Sequence, residues 1–174
     1  MARSSLAEIT QASLQHGCGF AFAPCLPEPE RLVGLGFRLW YSGYVNADLG
    51  TWEQAWRTFG RVLNPEQGRA ALEDLSRWVR TILDKSARDI EVLPATCRSF
   101  CRDECVAVAM IAAAQHGRRK EMRACALTLL DTSAIDEVMA KADCLAATLT
   151  RSGVTLSTGS VVDVSEPVTP ATHH

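Results

Sequence analysis

Apolar residues along this chain recur mostly at three- and four-residue intervals, the spacing of helices with one buried face. A short first helix is expected over Ser5 to Gln15, where Leu6, Ile9 and Leu14 share a side and His16-Gly17 stops it. From Gly17 to Pro29, glycines and prolines surround the apolar triplet Phe20-Ala21-Phe22, which reads as a loop folded onto the core. Glu30 to about Tyr44 reads as a helix through Leu32, Leu35, Leu39 and Trp40, weakened by Gly34, Gly36 and Gly43.

Thr51, with Gln54 three residues on, has the capping-box pattern. Trp52, Trp56, Phe59 and Leu63 then form one apolar stripe, a pattern that favours core. A stronger start follows in Asn64-Pro65-Glu66-Gln67, with Asn as N-cap, Pro in the first turn and Gln at the third helical position. Leu72, Leu75, Trp78, Val79, Ile82 and Leu83 are its buried face, and Arg69, Glu73, Asp74, Arg77 and Arg80 are its wet face. Asp84 to Leu93 fits a helix extension or a connector equally well.

Pro94 opens a new element, and a long helix is expected from Ala95 to Gln115, ended by Gly117. Its second half, VAVAMIAAA, is apolar on every side, as in a helix enclosed by others. Two more helices are expected, at about Arg118 to Leu130 and Ser133 to Arg151. Asp131-Thr132 precede the second, which points Ile135, Val138, Ala142, Leu145 and Leu149 inward. The fold class is therefore all-α: a six- or seven-helix orthogonal or up-down bundle around a central apolar helix at about 95–116. Residues 1–152 form one domain. Residues 153–174, rich in Val, Thr, Ser and Pro, are a disordered tail or a short hairpin about Ser157–Ser160.

Composition narrows the functional classes. With 47% hydrophobic and 22% charged residues the chain is globular, and its formal charge of -2 is unlike that of a general nucleic-acid binder. Arg118, Arg119, Lys120 and Arg123 cluster, but a helix-turn-helix reading fails because the recognition helix, AIDEVMAKAD, is acidic and would repel phosphate. No apolar run approaches the roughly 20 residues of a membrane span, and the N-terminus lacks the apolar stretch of a signal peptide. The expectation is a cytoplasmic protein with neither nucleic acid nor membrane as partner.

Seven cysteines without a secretion signal point to reduced thiols rather than a disulfide framework. Cys97, Cys101 and Cys105 are spaced by four, so on one helix each step turns by only about 40° and rises about 6 Å. Neighbouring thiols could then share zinc, copper(I) or an iron–sulfur cluster, but the outer pair, about 12 Å apart, could not share one ion. Further ligands would come from His116, His16, Cys18, Cys25, Cys125 or Cys144. Arg98 and Arg102 would lower a thiol pKa, with Asp103 and Glu104 opposing them. The same face runs into Val108, Ala109 and Ala112, so packing is the simpler reading. Cys125 and Cys144, in ACALTLL and ADCLAATL, look like packing residues as well.

All four tryptophans and both tyrosines lie between Trp40 and Trp78. Tyr41 and Tyr44 sit partly off the apolar face, which makes them candidates for a partner surface. No phosphate-binding loop, dinucleotide fingerprint or hydrolase motif is present. The resulting expectation is a non-catalytic interaction or regulatory module that presents Tyr41, Tyr44, Arg118, Arg119 and Arg123 to a protein. The alternative is a thiol site for metal or redox chemistry at Cys97, Cys101, Cys105 and His116.

Overall fold

The computed structural model describes residues 26–158, and it is helical throughout apart from its connections. Six helices follow one another: α1 (Glu28–Asn46), α2 (Leu49–Phe59), α3 (Pro65–Lys85), α4 (Arg102–Gln115), α5 (Arg119–Leu130) and α6 (Asp136–Arg151). The expected first helix, Ser5 to Gln15, and the Phe20–Phe22 patch lie outside the described residues.

The bundle forms around α4, against which α1, α5 and α6 all pack. Val106 through Ala113 are all buried, as a helix apolar on every side requires. Helix α3 lies along α6 and α1, and α2 rests on the outside against α1 and α3. From α6 and the residue before it the core receives Ile135, Val138, Ala142, Leu145 and Leu149 as expected. Among the described residues no helix is long and apolar enough to cross a membrane.

Several boundaries follow directly from local chemistry. Asn64 and Gln67 form the reciprocal capping box at the start of α3, Asn64 Oδ1 accepting the Gln67 N–H at 2.9 Å. Gly117 follows α4 with φ +66°, a left-handed conformation that glycine adopts without penalty.

Other starts differ from expectation. Helix α2 begins three residues earlier than the Thr51 pattern suggests, because Asp48 Oδ1 accepts the Gly50 N–H at 2.9 Å. The Thr51 hydroxyl instead donates to the Asp48 carbonyl at 2.7 Å. Helix α6 starts at Asp136 with no side-chain cap, since Asp131 takes a left-handed conformation (φ 51°) that ends α5. The largest difference is at α4, which begins at Arg102 and not near residue 95. Residues 86–101 form a connector without helix, and several of their polar backbone groups go to side chains of α1 and α4, as described below.

Helix α1 tolerates its glycines because larger neighbours need the space. A Cβ on Gly34 would lie 2.6 Å from the Phe100 ring, and one on Gly36 would lie 2.8 Å from Phe59 and 2.9 Å from Leu75. Beyond α6, residues 153–158 fold back over the bundle and bury Val154 and Leu156. Gln115 Nε2 donates to the Val154 carbonyl at 2.8 Å, and Gln115 Oε1 accepts the Leu156 N–H at 2.8 Å. The Ser157 N–H reaches Glu30 on α1 at 2.6 Å. Residues 159–174, the rest of the expected tail, lie outside the described residues.

Candidate functional site

The cysteine face is the first candidate. The helical premise behind it does not hold, because Cys97 and Cys101 precede α4 and only Cys105 lies on it. The Cys101 thiol donates to the Glu91 carbonyl at 3.1 Å. Burial pushes this thiol up to about 12, and the neighbouring Glu104 charge adds to the effect. Cys105 is pushed up to about 11 by burial, with Glu104 again contributing, and Cys125 on α5 to about 11, mainly by burial. Arg98 and Arg102, expected to activate a thiol, are exposed. These conditions favour the neutral thiol, whereas nucleophilic attack uses the thiolate.

His116 follows the last residue of α4 and sits eleven positions beyond Cys105, about 17 Å along the axis, so the two cannot share an ion. Its Nε2 lies 2.8 Å from the Leu156 carbonyl, which makes it part of the C-terminal wrap. Cys144 is exposed. Among the described residues, no three His, Cys, Asp or Glu side chains are grouped so that they could hold a metal ion. His16, Cys18 and Cys25 lie outside those residues.

Beside the cysteines is a feature not anticipated from the sequence, a fully buried ion pair between Arg38 of α1 and Glu104 of α4. Arg38 Nε donates to Glu104 Oε1 at 2.6 Å and Nη2 to Oε2 at 2.9 Å. The other guanidinium hydrogens go to the connector, at 2.7 Å to the Cys97 carbonyl, 2.6 Å to Ser99 and 3.3 Å to Pro94. Glu104 also accepts the N–H groups of Leu93 at 3.1 Å and Cys101 at 2.9 Å. The guanidinium stands 4.8 Å from the centre of the Phe100 ring. Next to it, Asp103 takes Arg88 at 2.5 Å and the Glu91 N–H at 2.9 Å. Every donor of Arg38 and both oxygens of Glu104 are occupied, so this network clamps the connector and leaves no group for a ligand. The only sequence signal was a cation between the core residues Phe37 and Leu39.

Of the residues expected to meet a partner, Tyr41 is half-buried, stacks on Phe37 with centroids 5.9 Å apart, and meets the Ile90 backbone. Burial raises its hydroxyl pKa above the ordinary tyrosine value. The Tyr44 hydroxyl pairs with Ser76 at 2.8 Å. Arg118 is paired to Glu121 at 3.0 Å and Arg119 to Asp143 at 2.6 Å, while Arg123 is exposed. The tyrosines lie on α1, which packs on α2, α3 and α4, whereas the arginines belong to the α5 end, packed on α4 and α6. The expected partner residues are therefore not one surface.

An aromatic cluster lies elsewhere. Trp40, Tyr44 and Trp52 form an aromatic cluster, with centroids 5.3 Å apart for Trp40–Trp52, 5.4 Å for Tyr44–Trp52 and 5.9 Å for Trp40–Tyr44. Gly43 brings α1 close enough for the Trp52 indole to pack on its backbone. Beside the cluster, a cleft of about 470 Å³ opens between α1, α2 and α3, lined by Trp40, Trp56, Arg69, Leu72, Glu73 and Ser76. Trp56 was expected in the core with its stripe, but it is 48% exposed. The buried face of α2 is narrow, carrying Ala55 and Phe59, and Trp56 lies at its border over the cleft. Val45, Leu49 and Val62, at 58%, 68% and 50% exposed, flank the same helix. Comparisons with protein-family models, curated proteins and solved structures found no match to this chain.

Proposed function

We propose that this protein is a non-catalytic helical docking module whose working surface is the aromatic cleft between α1, α2 and α3, and whose ligand is a protein. One observation carries the reading. Four of the five large hydrophobic side chains most exposed among the described residues (Val45, Leu49, Trp56 and Val62) lie on α2 or within a few residues of its ends, and Trp56 lines a preformed cleft with Trp40 and Leu72. Isolated exposed apolar residues are ordinary, but several grouped on and beside one helix, next to an aromatic-lined cleft, fit a protein interface. The polar groups of the cleft support binding over chemistry, since Ser76 is bonded to Tyr44 and Glu73 to Arg77. Among the described residues the Ser76 hydroxyl bonds to Tyr44 and to no carboxylate or histidine that would activate it.

A photo-crosslinking amino acid at Leu49, introduced into the full chain in its native cells, tests this. We expect a cross-linked product that Trp56→Glu abolishes and Arg123→Glu leaves intact. If Leu49 gives no more product than the same probe at Arg123, the surface is not a docking site.

A further inference from the structure

We infer that the occupant of this surface is a second copy of the same chain, paired through α2 about a two-fold axis. The inference rests on the docking role proposed above and adds the identity of the partner.

The first argument is charge. The exposed charges of α2, the turn after it and the first half of α3 are Glu53, Arg57, Arg61, Glu66, Arg69 and Glu73, with the two signs balanced and interleaved. A strongly acidic or basic partner would find no complementary field there. A second copy would, because each patch offers both signs to the other. A two-fold interface requires this self-complementarity, and two-fold pairs are the commonest closed assemblies.

The second argument is area. A standard interface takes about 800 Å² from each partner, a little over half of it apolar, or roughly 450 Å². At the exposures given above, Val45, Leu49, Trp56 and Val62 together leave on the order of 400 Å² of mostly apolar surface, the size of the largest apolar patch on a typical monomer, which is often functional. The surface thus supplies close to the apolar share that a stable dimer needs from each side.

In a two-fold pairing, Leu49 at one end of α2 and Trp56 near the other provide the projecting side chains. The cleft walled by Trp40 and Leu72 provides the recess.

The test is the molar mass of the purified full chain by light scattering after size exclusion, loaded at about 100 µM and again after dilution. We expect twice the 18.9 kDa chain mass at the higher loading. Trp56→Glu and Leu49→Arg should each give the monomer mass, with circular dichroism and melting midpoint unchanged at low concentration. Two independent variants guard against one that simply misfolds. A monomeric wild type at the high loading overturns the inference, as does a dimer that survives both substitutions. If the wild type is monomeric and Leu49 still cross-links to a different protein in cells, the docking role stands and the second copy falls. If Leu49 cross-links to nothing as well, both fall.

Discussion

The buried clamp between Arg38 and Glu104 makes the strongest stability prediction, through Glu104→Gln. The substitution keeps the shape of the side chain and changes only charge and hydrogen-bond polarity. In the native chain Oε1 accepts from Arg38 Nε and the Leu93 N–H, and Oε2 accepts from Arg38 Nη2 and the Cys101 N–H. A glutamine must put its NH₂ at one of these positions, and there it faces two donors whichever way it is turned. Two donors therefore lose their acceptor, at about 1–3 kcal/mol each, and the guanidinium, with 0% of its side chain exposed, loses its counter-charge. Breaking a buried pair by removing one partner costs about 3–5 kcal/mol, a large part of the 5–15 kcal/mol that holds an ordinary domain together.

Urea unfolding followed by far-UV circular dichroism, with the fluorescence of the four tryptophans as a second probe, should show that loss. The melting midpoint should drop by roughly 6–20 °C. The double variant Arg38→Met/Glu104→Leu should lose less than the sum of the two single changes, because removing the second partner takes away a charge the first had stranded. It should not return to wild-type stability, since the Pro94, Cys97 and Ser99 carbonyls and the Leu93 and Cys101 N–H groups still lose their partners. A loss below about 1 kcal/mol for Glu104→Gln would refute the argument, because water would then have to reach a pair that the structure encloses.

Two further outcomes follow. The thiols of Cys101, Cys105 and Cys125 are raised by burial, so the folded state holds the proton more tightly than the unfolded chain, where a thiol titrates near about 8.5. Their contribution to stability is complete below that value and declines as pH rises toward 11–12. Urea midpoints compared at about pH 8 and pH 10 should fall at the higher pH, and Cys101→Ala/Cys105→Ala/Cys125→Ala should flatten that fall. An unchanged slope would remove the thiols from the explanation. Separately, Leu156→Ala should cost about 2–4 kcal/mol, since Leu156 is 1% exposed although composition placed it in the tail. A cost under about 0.5 kcal/mol would mean that the C-terminal wrap is not docked in solution.

What the sequence made legible was governed by local chemistry. The Asn64–Gln67 box, the glycine at 117, the all-apolar run in α4 and the inward face of α6 depend on neighbours a turn or two away. What it hid depends on distant residues. Ala95–Cys101 has no helix breaker after Pro94, yet it does not coil, because Arg38 takes the carbonyls of Pro94, Cys97 and Ser99. Gly34 and Gly36 read as weaknesses until Phe100, Phe59 and Leu75 are seen to occupy the space they leave. Periodicity placed Trp52, Trp56 and Phe59 on one side of α2 but could not say how much of that side a neighbour covers. The exposure of Trp56 was therefore missed, and the residues expected to meet a partner are divided between tyrosines on α1 and arginines at the α5 end.

The Ser157–Glu30 bond closes a loop of 127 residues, from the first turn of α1 to the segment that follows α6. On the ribosome, where domains fold as they emerge, α1 cannot acquire this contact until nearly the whole described chain has been made. At roughly 5–20 residues per second, the start of α1 waits on the order of ten seconds for this neighbour. During that interval Val154 and Leu156 have not yet covered their part of the core, and the nascent bundle is open at that end. Ribosome-bound chains stalled before residue 154 should therefore be far more sensitive to protease than chains released after residue 158.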